Sequence, residues 1–248
     1  MDQTAKIRIG YLRPEAVESS PTGGETYLRH FSQLLPPEIE MTCEGLPLIG
    51  SSRYDIGGKT DEITSGALEF TRKYDLQGLI LAGAPLGILN PGLEAQVTRV
   101  VGISVVMAVP AVVAALKALC VSKLTVMTPW DDELNGRLKQ RLLEDGLTVL
   151  SCPLFEDPTP GAGAKVSPEE IFRRVERAFA EAGEAEAIYF QGAPLNPIPI
   201  IQKLEDKLGV PVIASNPAML WHVTSLLGHD FSIENYGSLL RSWPKTVG

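Results

Sequence analysis

Three kinds of group in this chain have the right type and position to act on a small anion. Arg13 stands where an apolar segment, KIRIGYL, gives way to Arg13-Pro14-Glu15. A guanidinium there can grip a carboxylate through two parallel hydrogen bonds, the other reading being an ordinary surface arginine. Glu15, and Glu44 at the end of IEMTCEG, also lie just past strand-like runs. Each can serve as general acid or base if partly buried, and each is otherwise a solvated loop carboxylate. The third group is backbone: Gly-Ala-Pro-Leu occurs at Gly83-Ala84-Pro85-Leu86 and again at Gly192-Ala193-Pro194-Leu195. Amides of Gly83, Ala84, Gly192 and Ala193 at helix starts can hold an anion, although each proline removes one donor. Gln191, just before the second copy, either orients a polar group or points to the back of its strand. Trp130 and Tyr11 can wall the same space.

The elements that must carry these residues repeat. Each Gly-Ala-Pro-Leu ends a short apolar run, GLILA or AIYFQ, which reads as a buried parallel strand broken by glycine with proline opening the next helix. The two copies are 109 residues apart, and GISVVMAVPAVVAALKAL returns as GVPVIASNPAMLWHVTSLLG 107 residues later. Two unrelated features agreeing on one offset within two residues make the chain a duplication. The pattern predicts strands over 6–12, 39–48, 78–83 and 102–108, then 123–128, 147–155, 187–192 and 210–215. Helices are predicted over 25–35, 59–74, 110–119, 132–146, 167–182, up to 208, and from 217. Asp131 and Asp132 open one helix as caps, and Ser167 with Glu170 form a capping box at another. The fold class is therefore α/β, two pseudo-symmetric halves, each a four-stranded parallel sheet flanked by helices. The halves are residues 1–120 and 121–248, with the C-terminal helix packing on the first half and a cleft between them.

Composition narrows the partners. With 248 residues, 44% hydrophobic and 21% charged, the chain has ample core material, and its net charge of -8 with scattered basic residues argues against nucleic acid. No apolar run reaches membrane-span length and the N-terminus has no signal-peptide core, so no membrane partner and a cytoplasmic location are expected. Cys43, Cys120 and Cys152 are odd in number and scattered, and His30, His222 and His229 show no ligand spacing, so neither a disulfide framework nor a metal site is indicated. Cys43 alone lies near the expected cleft; Cys120 and Cys152 read as structural. Gly161-Ala162-Gly163 lacks the strand context of a phosphate cradle, and no cofactor is expected.

The segments IGYLRPEA, TPWDDELNGRLKQRLLEDGL and GVPVIASNPAMLWHV, in that order and spacing, resemble the aspartate/glutamate racemase superfamily, most of all its arylmalonate decarboxylase and maleate isomerase branch. The resemblance implies a fold of two α/β halves, a small carboxylate or carbonyl substrate, no cofactor and homo-oligomers. It also implies a pair of proton-transferring cysteines, one at the third strand of each half, of which the decarboxylases keep one. Those positions fall on Gly83 and Gly192. The hydroxyl residues that hold the substrate carboxylate in that family fall on Ala84, Pro85 and Trp130. The expected activity is thus a cofactor-independent lyase or isomerase working without the two-cysteine mechanism, with Glu15 and Glu44 as acid or base. Arg13, Pro14, Gly83, Ala84, Pro85, Trp130, Gln191, Gly192 and Ala193 would bind substrate. The competing readings are a ligand-binding or regulatory protein that has lost catalysis, and a hydrolase with a rebuilt cleft.

Overall fold

The computed structural model describes residues 6–15, 24–49, 52–154, 162–192 and 195–247. Among the described residues, eight parallel strands form two sheets of four. The first contains β1 (Ile7–Arg13), β2 (Ile39–Gly45), β3 (Gly78–Leu81) and β4 (Ser104–Met107) in the order β2-β1-β3-β4; the second contains β5 (Lys123–Met127), β6 (Thr148–Ser151), β7 (Ala187–Phe190) and β8 (Val212–Ala214) in the order β6-β5-β7-β8. Identical strand order in both sheets is what a duplicated chain should give, and parallel pairing forces a crossover after each strand.

The helices after the strands are α1 (Gly24–Ser32), α2 (Thr60–Tyr74), α3 (Ala84–Leu89), α4 (Leu93–Val101), α5 (Ala108–Ala118), which joins the two sheets, α6 (Asp132–Glu144), α7 (Pro168–Ala182), α8 (Ile201–Leu208), and, beyond the last strand, α9 (Ser215–Leu226) and α10 (Ser238–Ser242). Their boundaries follow local chemistry. Asp131 caps α6 by accepting the Leu134 amide, and Ser167 caps α7 by accepting that of Glu170, with Pro168 at the first helical position. The helix expected from Pro110 begins at Ala108 instead, because proline in a first turn forfeits no intrahelical bond. The chain beyond the first Gly-Ala-Pro-Leu forms two helices, split at Asn90 and Gly92; Gly92 takes the left-handed conformation at φ 83°. Asn90 is buried at the break, donating to the carbonyls of Ile56 and Leu86 and accepting from the Lys59 amide.

Burial is organised in three apolar layers. The inner layer joins both sheets: Ile9, Ile80 and Val106 from the first share it with Leu124, Tyr189 and Ile213 from the second. Leu12, Leu79 and Leu81 face outward under α2 and α4, while Ile188 and Phe190 face outward under α7 and α8. Alternation along each strand thus sends successive residues to opposite faces. The helix α9 leaves the second sheet and packs on the first, against β3, β4 and α5. Its Val223 lies so near Gly78 that a Cβ there would come within 2.8 Å of it.

Candidate functional site

The carboxyl ends of β1, β3, β5 and β7 converge at the seam between the sheets, the region where open parallel sheets hold ligands. Arg13 is the last residue of β1 and shares the inner face with Tyr11. It is only 8% exposed, and its Nε is buried with no hydrogen-bond partner. The surface-arginine reading is therefore ruled out. A guanidinium N–H left unpaired in the interior carries a desolvation cost of roughly 1–3 kcal/mol that a bound anion would remove.

Around it, Tyr11 accepts a 2.9 Å hydrogen bond from Asn216 in the first turn of α9. Burial drives its phenol well above the usual tyrosine range, with the Arg13 charge opposing. Cys43, level with Tyr11 on β2, faces the same side, and burial pushes its thiol up to about 11, again opposed by Arg13. Glu15 lies partly buried two residues beyond the strand, and its charge acts on Tyr11 and on Arg53. Arg53 and Tyr54 belong to a short 3-10 turn (Arg53–Ile56) ahead of α2. The Tyr54 hydroxyl donates to Asp131 Oδ1 at 2.7 Å, a direct bond between the halves. Burial and the Asp131 carboxylate raise that phenol to about 12.

The two glycine turns answer one another. Gly83 has φ 96° and faces Pro14; Gly192 has φ 107° and faces Pro129. Both conformations disfavour any L side chain. A Cβ on Gly83 would rest 3.5 Å from the Pro14 ring, whereas one on Gly192 would meet Pro129 Cδ at 2.8 Å. Trp130, buried in the inner layer, keeps its indole nitrogen 3.8 Å from that same point. Ala84 and Pro85 are buried in the first turn of α3, a helix of six residues, too short for much of a macrodipole. Gln191 is buried on the inner face, where its Oε1 accepts from the Tyr189 hydroxyl, so it does not point to the back of its strand. Ala193 lies outside the described residues.

Glu44 requires a correction. Its register partner on β1 is Leu12, which faces the outer layer, so Glu44 turns away from the cleft. There it pairs with Lys73 Nζ at 2.6 Å and accepts from the Tyr74 hydroxyl at 2.6 Å, and both bonds lower its pKa. It anchors the end of α2 and does not meet Arg13. Cys120 is also not the packed residue expected: it is exposed, at the end of α5. Among the described residues no group of His, Cys, Asp or Glu is arranged to hold a metal, and no helix is long and apolar enough to cross a membrane.

Sequence reasoning missed Arg53, Tyr54 and Asn216. Only the Ser52–Asp55 capping box at the 3-10 turn offered a local signal for the first two; Asn216 reaches Tyr11 across 205 residues of chain.

A profile of the arylmalonate decarboxylase family matches residues 31–240. The chain belongs to the arylmalonate decarboxylase family. It is 26% identical to the arylmalonate decarboxylase of Bordetella bronchiseptica over 236 residues, covering 92% of this chain and 93% of that one. It is 22% identical to a maleate isomerase of Geobacillus stearothermophilus over 131 residues, about half of each. A solved unliganded arylmalonate decarboxylase superposes with a TM-score of 0.78 at 25% identity, over 95% of this chain and 99% of its own. A maleate cis-trans isomerase of Nocardia farcinica, 17% identical, gives 0.79 over 96% and 99%, a likeness of fold. Membership of the arylmalonate decarboxylase family agrees with the expected superfamily and with the paired sheets.

Proposed function

We propose that the protein is a cofactor-independent lyase or isomerase acting on a small organic acid, by a route that does not use the paired cysteines of the wider superfamily. The observation that carries this reading is Arg13, a buried guanidinium with an unpartnered Nε at the head of the cleft. In a decarboxylation, Arg13 holds the carboxylate that stays. The bond to the departing carboxylate breaks, CO2 leaves, and the electron pair passes into the retained carboxylate as an enolate. Arg13 and the indole N–H of Trp130 stabilise that charge, and a proton delivered through Glu15 or water closes the reaction at carbon. Pro14, Pro85, Gly83 and Gly192 shape the walls, leaving room where side chains would otherwise stand.

The test is turnover of phenylmalonate, followed as CO2 release, and of maleate, followed as fumarate, by wild type, Arg13→Ala and Glu15→Gln. Activity lost with Arg13 and reduced with Glu15 supports the reading. Binding of these acids with no turnover would favour the second reading, a ligand-binding protein. The positive φ at both Gly83 and Gly192, which disfavours a thiol-bearing residue at either turn, speaks for it.

A further inference from the structure

A second cavity, of about 700 Å³, opens on the seam between the halves. One wall is α3, the start of α4 and the start of α5; the other is the exposed flank of α6. None of Arg13, Pro14, Gly83, Trp130 or Gln191 lines it, although Ala84, expected to bind substrate, does.

Its chemistry is that of opposed charges kept apart. Glu94, in the first turn of α4, is held in place by the Met107 amide, which donates to its Oε1 at 3.0 Å. Burial raises the Glu94 carboxyl, and Arg141 on the facing wall is the charge that lowers it. Yet no ion pair among the described residues joins Glu94 to Arg141. The Nε of Arg141 is instead bonded to Asp145 at 2.9 Å, and Arg137, one turn earlier, to Glu133 at 2.7 Å. Between the charged walls the lining is apolar, from Ile88, Met107 and Val109. A carboxylate and a guanidinium facing each other across an apolar space suit a molecule that brings an ammonium to one, a carboxylate to the other and hydrocarbon between them.

We propose that this cavity is a second ligand site, for an α-amino acid with an apolar side chain held between Glu94 and Arg141. The ammonium bonds the Glu94 oxygen not used by Met107. The carboxylate meets Arg141 and Arg137, and the side chain lies on Ile88, Met107 and Val109. Because the walls belong to different halves, occupancy ties α3, and so the Gly83 turn, to α6.

The test uses L-leucine and L-phenylalanine as probes with the full-length protein, read by thermal unfolding and by calorimetric titration. N-acetyl-L-leucine, which lacks the ammonium, and L-leucinamide, which lacks the carboxylate, serve as controls. The expected result is saturable stabilisation by the free amino acids and not by either blocked form. Affinity should weaken by about tenfold or more in Glu94→Gln. Gly136→Leu should abolish it: Gly136 lines the cavity, a Cβ there meets nothing within 4 Å, and leucine favours the helix, so the variant fills the space without disturbing α6. Arg13→Ala should bind the probes as wild type does. No saturable binding at millimolar probe, equal binding of the blocked forms, or undiminished binding by Gly136→Leu would each overturn the assignment. Loss in Arg13→Ala with retention in Gly136→Leu would return the ligand to the cleft.

Discussion

The Gly83 and Gly192 turns share a tetrapeptide and a left-handed glycine, yet they differ in what they can tolerate and in what their halves bring to the cleft. At the first, the proline opposite leaves ordinary van der Waals room and Arg13 supplies the charge. At the second, the proline is within hard contact of any added Cβ, and the neighbours are Trp130 and the Gln191–Tyr189 pair. One half thus contributes the cation and the other an aromatic wall with a single N–H. Duplication preserved the scaffold and the proline that faces each glycine, while its neighbours diverged, from Arg13-Pro14-Glu15 in the first copy to Thr128-Pro129-Trp130 in the second.

The largest expected effect comes from removing the charge that separates the two halves. Arg13→Ala should lower kcat/KM on a carboxylate substrate by about a hundredfold or more, and Arg13→Lys should recover only part of it, because one ammonium does not reproduce a fork of two N–H donors. Steady-state kinetics on whichever of phenylmalonate and maleate is turned over checks this; equal loss in Trp130→Phe would mean that the two halves share the charge-binding task.

Next in size is the steric asymmetry of the turns. Gly192→Ala combines a strained φ with a collision against a rigid ring and should destabilise the protein by about 3 kcal/mol, while Gly83→Ala, with strain alone, should cost about 1–2 kcal/mol. Urea unfolding of the two variants measures the difference directly. Equal losses would show that Pro129 yields as readily as Pro14 and that the turns are interchangeable.

A smaller effect belongs to the bond between the halves. Tyr54→Phe removes the hydroxyl from Asp131 but leaves the Asp131 cap on α6, so stability should fall by about 1 kcal/mol with helix content unchanged. Thermal unfolding with circular dichroism tests both parts of that statement.

The smallest concerns Glu44. Its pKa is lowered in the folded state, so its contribution to stability is present above the ordinary carboxylate range and disappears as pH falls through it. Glu44→Gln should therefore be slightly less stable than wild type at neutral pH, with the gap closing in acid, and should turn over substrate normally. A loss of turnover in Glu44→Gln comparable with that in Glu15→Gln would restore it to the cleft.

These residues also show how much of the site could be read in the sequence. The strands and the pairing of the glycine turns follow from apolar runs and two repeats at nearly the same offset, because buried parallel strands carry that signal in their composition; the order of the strands within each sheet does not. Which of Cys43 and Glu44 faces inward does not, since IEMTCEG has no clean alternation and the answer depends on its register with β1. Arg13 was visible as a residue, but its burial was not, since nothing in Arg13-Pro14-Glu15 itself separates a buried arginine from a surface one. Asn216 and Tyr54 reach their partners across the duplication, and nothing local in a sequence marks a contact of that span. The break between α3 and α4 was hidden in Asn90-Pro91-Gly92, whose turn chemistry is clear once Asn90 is seen buried there.

The passage of α9 from the second sheet to the first bears on the protein's synthesis. The faces of β3 and β4 that it covers are made before Ser215–Leu226, which follows the whole of the second sheet. On the ribosome the first half therefore emerges with an apolar face that nothing yet synthesised can shield. It must wait for the second sheet and α9 before it can close, so the duplicated units do not mature one after the other. A duplication that looks modular in sequence is, in its assembly, a single late event, and the emerging first half is the form most exposed to chaperones and to aggregation.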